Sequence, residues 1–240
     1  MQFSRSVVVA VLALLAGVAS AQAPRLYLIP GTGADHRLFH ALDLADYDTA
    51  NVRLPVPLRG ETMATYAARV AEQIDTTRPF ALLGVSLGGM IATELAEQLD
   101  PEATVIVSSA KSRYELPATY RFNRSVPVHA LVGGRTMRWF TKRAQPRMEP
   151  MAPTQRDLFM EMLYAKDPAF VKGAVRLICG WTREEAPPGV LHVHGELDRT
   201  LPYRFADPTW VVRGAGHMLT YAQPEVVEWA LGVALGAPSL

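Results

Sequence analysis

The amino-acid sequence predicts an α/β fold, with a mostly parallel sheet of about six strands, helices on both faces and a helical lid insertion. Short apolar runs that end in glycine-rich turns alternate with segments whose apolar residues recur at helical spacing. Several of these runs lack polar alternation, as is typical of strands buried on both faces. The alternation is interrupted between about residues 111 and 188, where helical patterns follow one another without a strand.

Length and composition indicate one globular domain, residues 22–240, after a short leader. The chain has 240 residues, enough for a full-size core, with 49% hydrophobic and 20% charged residues. The formal net charge is +1, with basic and acidic residues mixed along the chain, so no nucleic-acid partner is expected. The sequence does not indicate an oligomeric state.

The amino terminus has the features of a secretory signal peptide. Arg5 precedes an apolar run at residues 7–18, and Ala19-Ser20-Ala21 is a small-x-small cleavage pattern. An uncleaved anchor is the alternative, but this run is shorter than the roughly twenty residues that cross a bilayer. We therefore expect cleavage after Ala21, no stable membrane insertion, and export to a periplasm or to the outside of the cell.

The first half of the chain predicts three βα units and a further strand. The expected strands are residues 25–29, 47–54, 80–85 and 104–108, and the expected helices are residues 37–45, 62–76 and 87–99. Thr62 is a candidate cap for the second helix. The second half predicts strands at residues 189–194 and 208–213 and a closing helix at residues 224–235.

The insertion predicts helices at residues 136–143, 154–165 and 168–181, separated by Gln145-Pro146 and Glu149-Pro150. Its large apolar residues agree either with a lid over a pocket or with a subdomain that packs its own core. Its Lys and Arg residues are interpreted as a solvated face. The lone cysteine, Cys179, is interpreted as a small buried hydrophobe.

Ser86 lies at a very sharp predicted turn. The sequence Gly84-Val85-Ser86-Leu87-Gly88 follows an apolar strand and precedes a helical pattern. This arrangement is typical of a nucleophile elbow, a strained turn that exposes the serine hydroxyl. Glycines flank the serine because side chains there would collide with the neighbouring strand or helix. The helix would direct free N–H groups and its positive end toward negative charge at Ser86.

Asp198 and His217 each follow a later predicted strand, as Ser86 follows its own. In an open parallel sheet, ligands bind outside the carboxyl ends of the strands. We therefore expect these three side chains to meet at one edge of the sheet, although more than a hundred residues separate the first from the other two.

With these positions, the mature chain resembles the α/β-hydrolase family over nearly its whole length. Ser86 and its flanking glycines are similar to the nucleophile elbow of that family. His194-Gly195-Glu196-Leu197-Asp198 is similar to its acid turn, and Gly214-Ala215-Gly216-His217 to its base turn. Ile29-Pro30-Gly31-Thr32-Gly33 stands at the oxyanion turn, with Pro30 in place of the usual histidine.

The resemblance implies a role for five residues. Ser86 would be the nucleophile, His217 the general base, and Asp198 the acid that orients the imidazole. The backbone N–H groups of Thr32 and Leu87 would form an oxyanion hole. Besides Pro30, the chain departs from the family pattern in two ways. Asp198 and His217 are unusually close in the chain, which predicts a loop at residues 199–207 in place of a helix. Two amino-terminal strands found in larger members are also missing.

Other side chains near these turns have simpler interpretations. Glu196 and Asp207 are fallback acids if Asp198 is a plain turn residue. His192 and His194 share one face of a strand, but two ligands without a third do not predict a metal site, so they are expected to be packed or hydrogen-bonded. Asp35 is interpreted as a helix cap.

The function implied is a serine hydrolase that cleaves ester-type bonds of a small, apolar substrate through an acyl-enzyme, with no metal or organic cofactor. Alternatives on the same fold are acyl transfer, C–C bond hydrolysis and cofactor-free haloperoxidase-like chemistry. The alternative from another class is a non-catalytic binding protein on this scaffold.

Overall fold

The computed structural model describes residues 23–125, 131–148 and 152–236, so the predicted signal peptide lies outside the described residues. Its six strands are β1 (Arg25–Ile29), β2 (Thr49–Asn51), β3 (Phe80–Val85), β4 (Ala103–Val107), β5 (Val190–Gly195) and β6 (Trp210–Val212). They form one parallel sheet in the order β2-β1-β3-β4-β5-β6. The predicted fold class is confirmed.

The helices follow the strands in sequence. The α-helices among the described residues are α1 (Met63–Ala71), α2 (Leu87–Leu99), α3 (Ala118–Ser125), α4 (Gly134–Met148), α5 (Pro153–Ala165), α6 (Pro168–Gly180), α7 (Leu219–Ala222) and α8 (Pro224–Ala234). Short 3₁₀ helices span His36–Phe39, Arg113–Glu115 and Tyr203–Phe205. None of the described helices is both long enough and apolar enough to span a membrane.

The sheet separates two apolar cores. On one face α1, α2 and α6 pack on strand residues such as Phe80 and Leu82. On the other face the first 3₁₀ helix and α8 pack on residues such as Leu83 and Val85. Alternate residues of β3 therefore enter opposite cores, which explains why this strand is apolar throughout.

The helix predicted at residues 37–45 is wrong. Only the 3₁₀ turn from His36 to Phe39 forms, capped by Asp35, whose carboxylate accepts the N–H of Arg37 at 3.0 Å. Beyond it, the carboxylate of Asp43 accepts the N–H of Ala45 at 3.3 Å. Such a local bond competes with helix continuation, so the chain turns instead. The capping role predicted for Asp35 is confirmed.

The insertion differs from the prediction in two places. Gln145-Pro146, predicted as a joint, lies inside α4, in its last turn. Helix α3 was not predicted, because it is only eight residues long and polar on average. The loop predicted at residues 199–207 contains only the 3₁₀ turn at Tyr203–Phe205.

The base of the insertion is fixed to α2 through a buried acid. Glu94 is 4% exposed, and its Oε1 accepts the indole N–H of Trp181 at 2.7 Å and the Nε–H of Arg183 at 2.9 Å. Trp181 directly follows α6, so this contact links the end of the insertion to α2, the helix that follows Ser86.

Candidate active site

Ser86 occupies a strained turn between β3 and α2. Its φ and ψ angles are 55° and −120°, a left-handed conformation that costs a non-glycine residue energy. A Cβ on Gly84 would lie 2.7 Å from the Cα of Gly89, and one on Gly88 would overlap the carbonyl group of Ile29. The flanking glycines are therefore required by space, as predicted for a nucleophile elbow.

Hydrogen bonds hold the elbow from two sides. The Ser86 N–H donates to the carbonyl of Val107 at 3.0 Å, and the Ser109 hydroxyl donates to the carbonyl of Ser86 at 2.7 Å. The N–H of Gly89 donates to the same carbonyl at 2.9 Å. The sequence analysis missed Ser109, because its role depends on a backbone group 23 residues away.

The predicted oxyanion turn lies directly against the serine. An added Cβ on Gly31 would be 3.1 Å from Ser86 Cβ and 3.7 Å from Ser86 Oγ. Leu87 is the first residue of α2, a position whose N–H has no acceptor within its own helix. Thr32 lines the same cavity as Ser86. Of the two residues named from the sequence, Leu87 thus directly follows the serine and Thr32 lines the cavity that the serine also lines.

His217 and Asp198 form a direct hydrogen bond. The Nδ1–H of His217 donates to Oδ2 of Asp198 at 2.7 Å, and the Asp198 side chain is fully buried. Because the carboxylate can only accept, Nδ1 carries the proton, and in the neutral form of the ring Nε2 is then an acceptor. This is the tautomer that a general base requires.

The Asp198 carboxylate has donors at both oxygens. Its Oδ1 accepts the N–H groups of Thr200 and Leu201, each at 2.8 Å. Burial by itself would raise the pKa of Asp198, but His217 and the hydrogen bonds from His194 and His217 hold that pKa well below its usual range. Asp198 is therefore ionised throughout the pH range in which an imidazole titrates.

A second histidine contacts the same carboxylate from behind. Nε2 of His194 lies 2.8 Å from the carbonyl oxygen of Leu201 and 3.3 Å from Oδ2 of Asp198. Both neighbours are acceptors, so this nitrogen carries a proton. Its Nδ1 lies 2.9 Å from Nε2 of His192, and both rings are fully buried. The prediction that these two histidines are packed and hydrogen-bonded is confirmed.

The fallback acids have other contacts. Oε2 of Glu196 accepts the N–H of Gly214 at 3.1 Å on the exposed side of the turn. The carboxyl of Asp207 is 95% exposed, 3.9 Å from Nζ of Lys111. Asp198 is the carboxylate that the structure places at His217.

Ser86, His217 and Thr32 line one cavity of about 240 Å³. The rest of its wall is mostly apolar, contributed by both the sheet domain and the insertion, as with Met90, Leu163, Val171 and Ile178. None of the described residues that line it is Asp, Glu, Lys or Arg. A charge on a bound ligand would have no fixed counter-charge there, so the cavity favours an uncharged, apolar group.

Comparison of the sequence with known proteins identifies its family. A model of the α/β hydrolase family matches residues 15–229. The chain belongs to the α/β hydrolase family. No curated protein matches it.

Solved α/β hydrolases share the fold over most of both chains. A hydrolase from Pseudomonas aeruginosa PA01 has 20% identity and a TM-score of 0.68, covering 90% of this chain and 91% of its own. A thermophilic esterase from Thermogutta terrifontis has 19% identity and a TM-score of 0.67, covering 89% of each chain. MenH from S. aureus has 12% identity and a TM-score of 0.68, covering 89% and 94%. At these identities the likeness concerns the fold.

Two further side chains of this α/β hydrolase bear on its site. Tyr120 lines the cavity, and burial raises the pKa of its hydroxyl, so it stays a protonated hydrogen-bond donor. Cys179 is buried, as predicted, and burial raises the pKa of its thiol to about 11, so it is not a nucleophile at neutral pH. Within the described ranges, no three His, Cys, Asp or Glu side chains are grouped as metal ligands.

Proposed function

We propose that this α/β hydrolase is a serine hydrolase of ester-type bonds, with Ser86 as nucleophile, His217 as general base and Asp198 as the acid that orients it. The observation that carries the proposal is the Asp198–His217 hydrogen bond of 2.7 Å, formed by a histidine that shares one cavity with a serine on a strained elbow. Nucleophile, base and orienting acid are the three parts that acyl transfer to serine requires.

The reaction follows from the protonation states. Nε2 of His217 takes the Ser86 proton as Oγ attacks the acyl carbon, and the N–H groups of Thr32 and Leu87 bind the oxyanion that forms. His217 then returns the proton to the departing alcohol, leaving an acyl group on Ser86. Water, deprotonated by His217, attacks this acyl-enzyme and restores the serine.

The cavity supports a compact, apolar and uncharged acyl or alcohol group. Its volume of about 240 Å³ lies below the roughly 300–1,000 Å³ of common ligand pockets. Its polar groups, among them Ser86, Tyr120 and His217, are few, so most of the binding energy would come from apolar contact.

The test combines labelling with turnover. A fluorophosphonate probe should label the unmodified chain and fail to label Ser86→Ala. Hydrolysis of p-nitrophenyl esters of graded chain length should fall by about 10⁴ to 10⁶-fold in this variant. Lack of labelling would refute the proposal and favour a binding protein, whereas full esterase activity in Ser86→Ala would refute Ser86 as the nucleophile. Added acceptor alcohols measure acyl transfer against hydrolysis.

We also propose that the protein is exported after cleavage of its leader. The support is the sequence of residues 1–21, in which a positive charge is followed by an apolar run and then by small residues at the predicted cleavage site. The mature protein should begin at Gln22 when its mass is measured after expression in a bacterial host, and recovery of the uncleaved chain from the cytoplasm would contradict export.

A further inference from the structure

Helix α4 exposes large aromatic side chains beside basic ones. Trp139 is 52% exposed and Phe140 57% exposed, although both are bulky and apolar. Arg135, Lys142 and Arg143 are exposed on the same helix. At 3.6 residues per turn, Arg135, Trp139, Lys142 and Arg143 share one side, with Phe140 at its margin. We call these five residues the basic aromatic face.

The face lies in a segment with one sign of charge. Residues 118–148 carry seven of the 24 Lys and Arg residues of the chain and none of its 23 Asp and Glu residues. The rest of the chain has 17 basic and 23 acidic residues. The sequence analysis described basic and acidic residues as mixed along the chain. Residues 118–148 are an exception, because this segment has a positive net charge and the remainder has a negative one. Such a division orients the molecule toward a negatively charged surface.

The aromatic rings and the cations of the face are in contact. The rings of Trp139 and Phe140 lie 5.0 Å apart, edge to face, and the guanidinium of Arg143 lies 5.8 Å from the Trp139 ring. Exposed tryptophan next to lysine and arginine on an amphipathic helix is the composition of helices that lie in a lipid interface. Exposed aromatic rings do not improve solubility, so their presence on this face indicates an interaction site.

The opposite side of α4 belongs to the cavity. Met137 and Thr141 line it together with Ser86. The guanidinium of Arg138 donates to the carbonyl oxygens of Tyr164 and Lys166, each at 3.1 Å, and so fixes α4 to the end of α5. One helix thus carries the exposed basic aromatic face on one side and a wall of the cavity on the other.

We propose that the basic aromatic face docks on an anionic lipid surface. Trp139 and Phe140 enter the headgroup region, while Arg135, Lys142 and Arg143 pair with the phosphates and anionic headgroups above them. Lipid is favoured over an acidic protein or a nucleic acid because the helix that exposes these rings also forms a wall of an apolar cavity. Docking would bring α4, and with it one wall of the cavity, to the lipid bilayer, where an apolar ester would be dissolved.

The experiment measures binding without turnover. The mature chain carrying Ser86→Ala is sedimented with vesicles of phosphatidylcholine alone and of phosphatidylcholine mixed with phosphatidylglycerol. Binding should require the anionic lipid and weaken as salt rises. Two variants, Trp139→Ala with Phe140→Ala and Arg135→Gln with Lys142→Gln and Arg143→Gln, should each bind at least about tenfold more weakly.

A matched control removes the same charge elsewhere. The triple variant Arg53→Gln, Arg59→Gln and Arg213→Gln changes three exposed arginines that lie outside residues 118–148. It should retain vesicle binding. All variants built on the chain with Ser86 intact should keep their activity on a water-soluble ester, because the basic aromatic face does not line the cavity.

Three results would overturn the proposal: no binding to anionic vesicles, an equal loss in the control variant, or equally tight binding to polyglutamate, which would indicate a protein partner. Binding of vesicles by a chain that no fluorophosphonate labels would leave docking in place and refute the catalytic proposal. The two proposals therefore fail separately.

Discussion

Nδ1 of His217 lies 2.7 Å from Oδ2 of Asp198, and a connection of only nineteen residues brings the two side chains together. The turns that carry them pack against each other. The N–H of Leu197 donates to the carbonyl of Ala215 at 2.8 Å, and a Cβ on Gly195 would overlap that carbonyl. This close approach of two backbones, which only glycine allows, joins acid and base without the helix that usually separates the last two strands.

Replacement of Asp198 by Asn is expected to lower turnover by up to about 10⁴-fold while leaving the fold intact. The amide can still accept from His217 but cannot stabilise its imidazolium. Esterase activity and near-ultraviolet circular dichroism are measured together. Asp207→Asn is the control and should stay within a few fold of the unmodified chain, because its carboxyl is exposed. Equal losses in both variants would contradict the assignment of the acid.

His194 is expected to control how strongly the Asp198 carboxylate stabilises the protonated form of His217. Its Nε2–H faces both the Asp198 carboxylate and the Leu201 carbonyl. Without this donor the carboxylate is less neutralised, so it should hold a proton on His217 more strongly. In His194→Phe the acid limb of the pH–rate profile should therefore move to higher pH.

The conservative variant separates this effect from damage to the core. His194→Gln keeps an N–H donor and should move the pH–rate profile less than His194→Phe. The free energy of unfolding should fall by about 1–3 kcal/mol in His194→Phe, since the Leu201 carbonyl loses its partner. A loss of stability with an unchanged pH–rate profile would mean that His194 is only structural.

The strands and the positions of Ser86, Asp198 and His217 could be predicted because each depends on local order. An apolar run, a glycine-flanked turn and a polar residue after a strand are visible within ten residues. The parallel sheet then brings the three turns to one edge, whatever the length of chain between them.

What the sequence analysis missed depends on contacts across the fold. Ser109 was not named at all, and His194 was expected to be packed or hydrogen-bonded without a named partner. Both bond to backbone carbonyls, and any residue can supply a carbonyl, so no side-chain pattern marks the partner. The failed helix at residues 37–45 was decided by the aspartate turn at Asp43, whose own N–H is held by Glu228 at 2.7 Å. This contact, with a residue 185 positions away in the chain, cannot be seen in a local helical pattern.

Leu163 is expected to limit the length of the acyl chain. It is 1% exposed and lines the cavity, whereas the adjacent Met162 is equally buried but faces the other core. Leu163→Ala enlarges the cavity and should shift the preferred p-nitrophenyl ester toward longer chains. Met162→Ala should lose a comparable 2–5 kcal/mol of stability without that shift. Identical chain-length profiles in both variants would show that the substrate binds elsewhere.

The ion pair of Glu61 with Arg69 is expected to stabilise the loop beneath α6 in a pH-dependent way. The Nε–H and Nη2–H of Arg69 donate to Glu61 at 2.8 and 2.9 Å, and these hydrogen bonds lower the pKa of Glu61 from its ordinary 4.5. The same loop packs on the insertion, since a Cβ on Gly173 would lie 2.8 Å from Pro57.

Because the pKa of Glu61 is lower in the folded chain, its stabilisation is complete above pH 4.5 and is lost as the pH falls through the folded value. Glu61→Gln should therefore lower the free energy of unfolding by about 1 kcal/mol at pH 7, and the two chains should converge as the pH drops below 4.5. Urea unfolding at several pH values measures this difference. A Glu61→Gln deficit that persists in acid would assign the effect to packing rather than to charge.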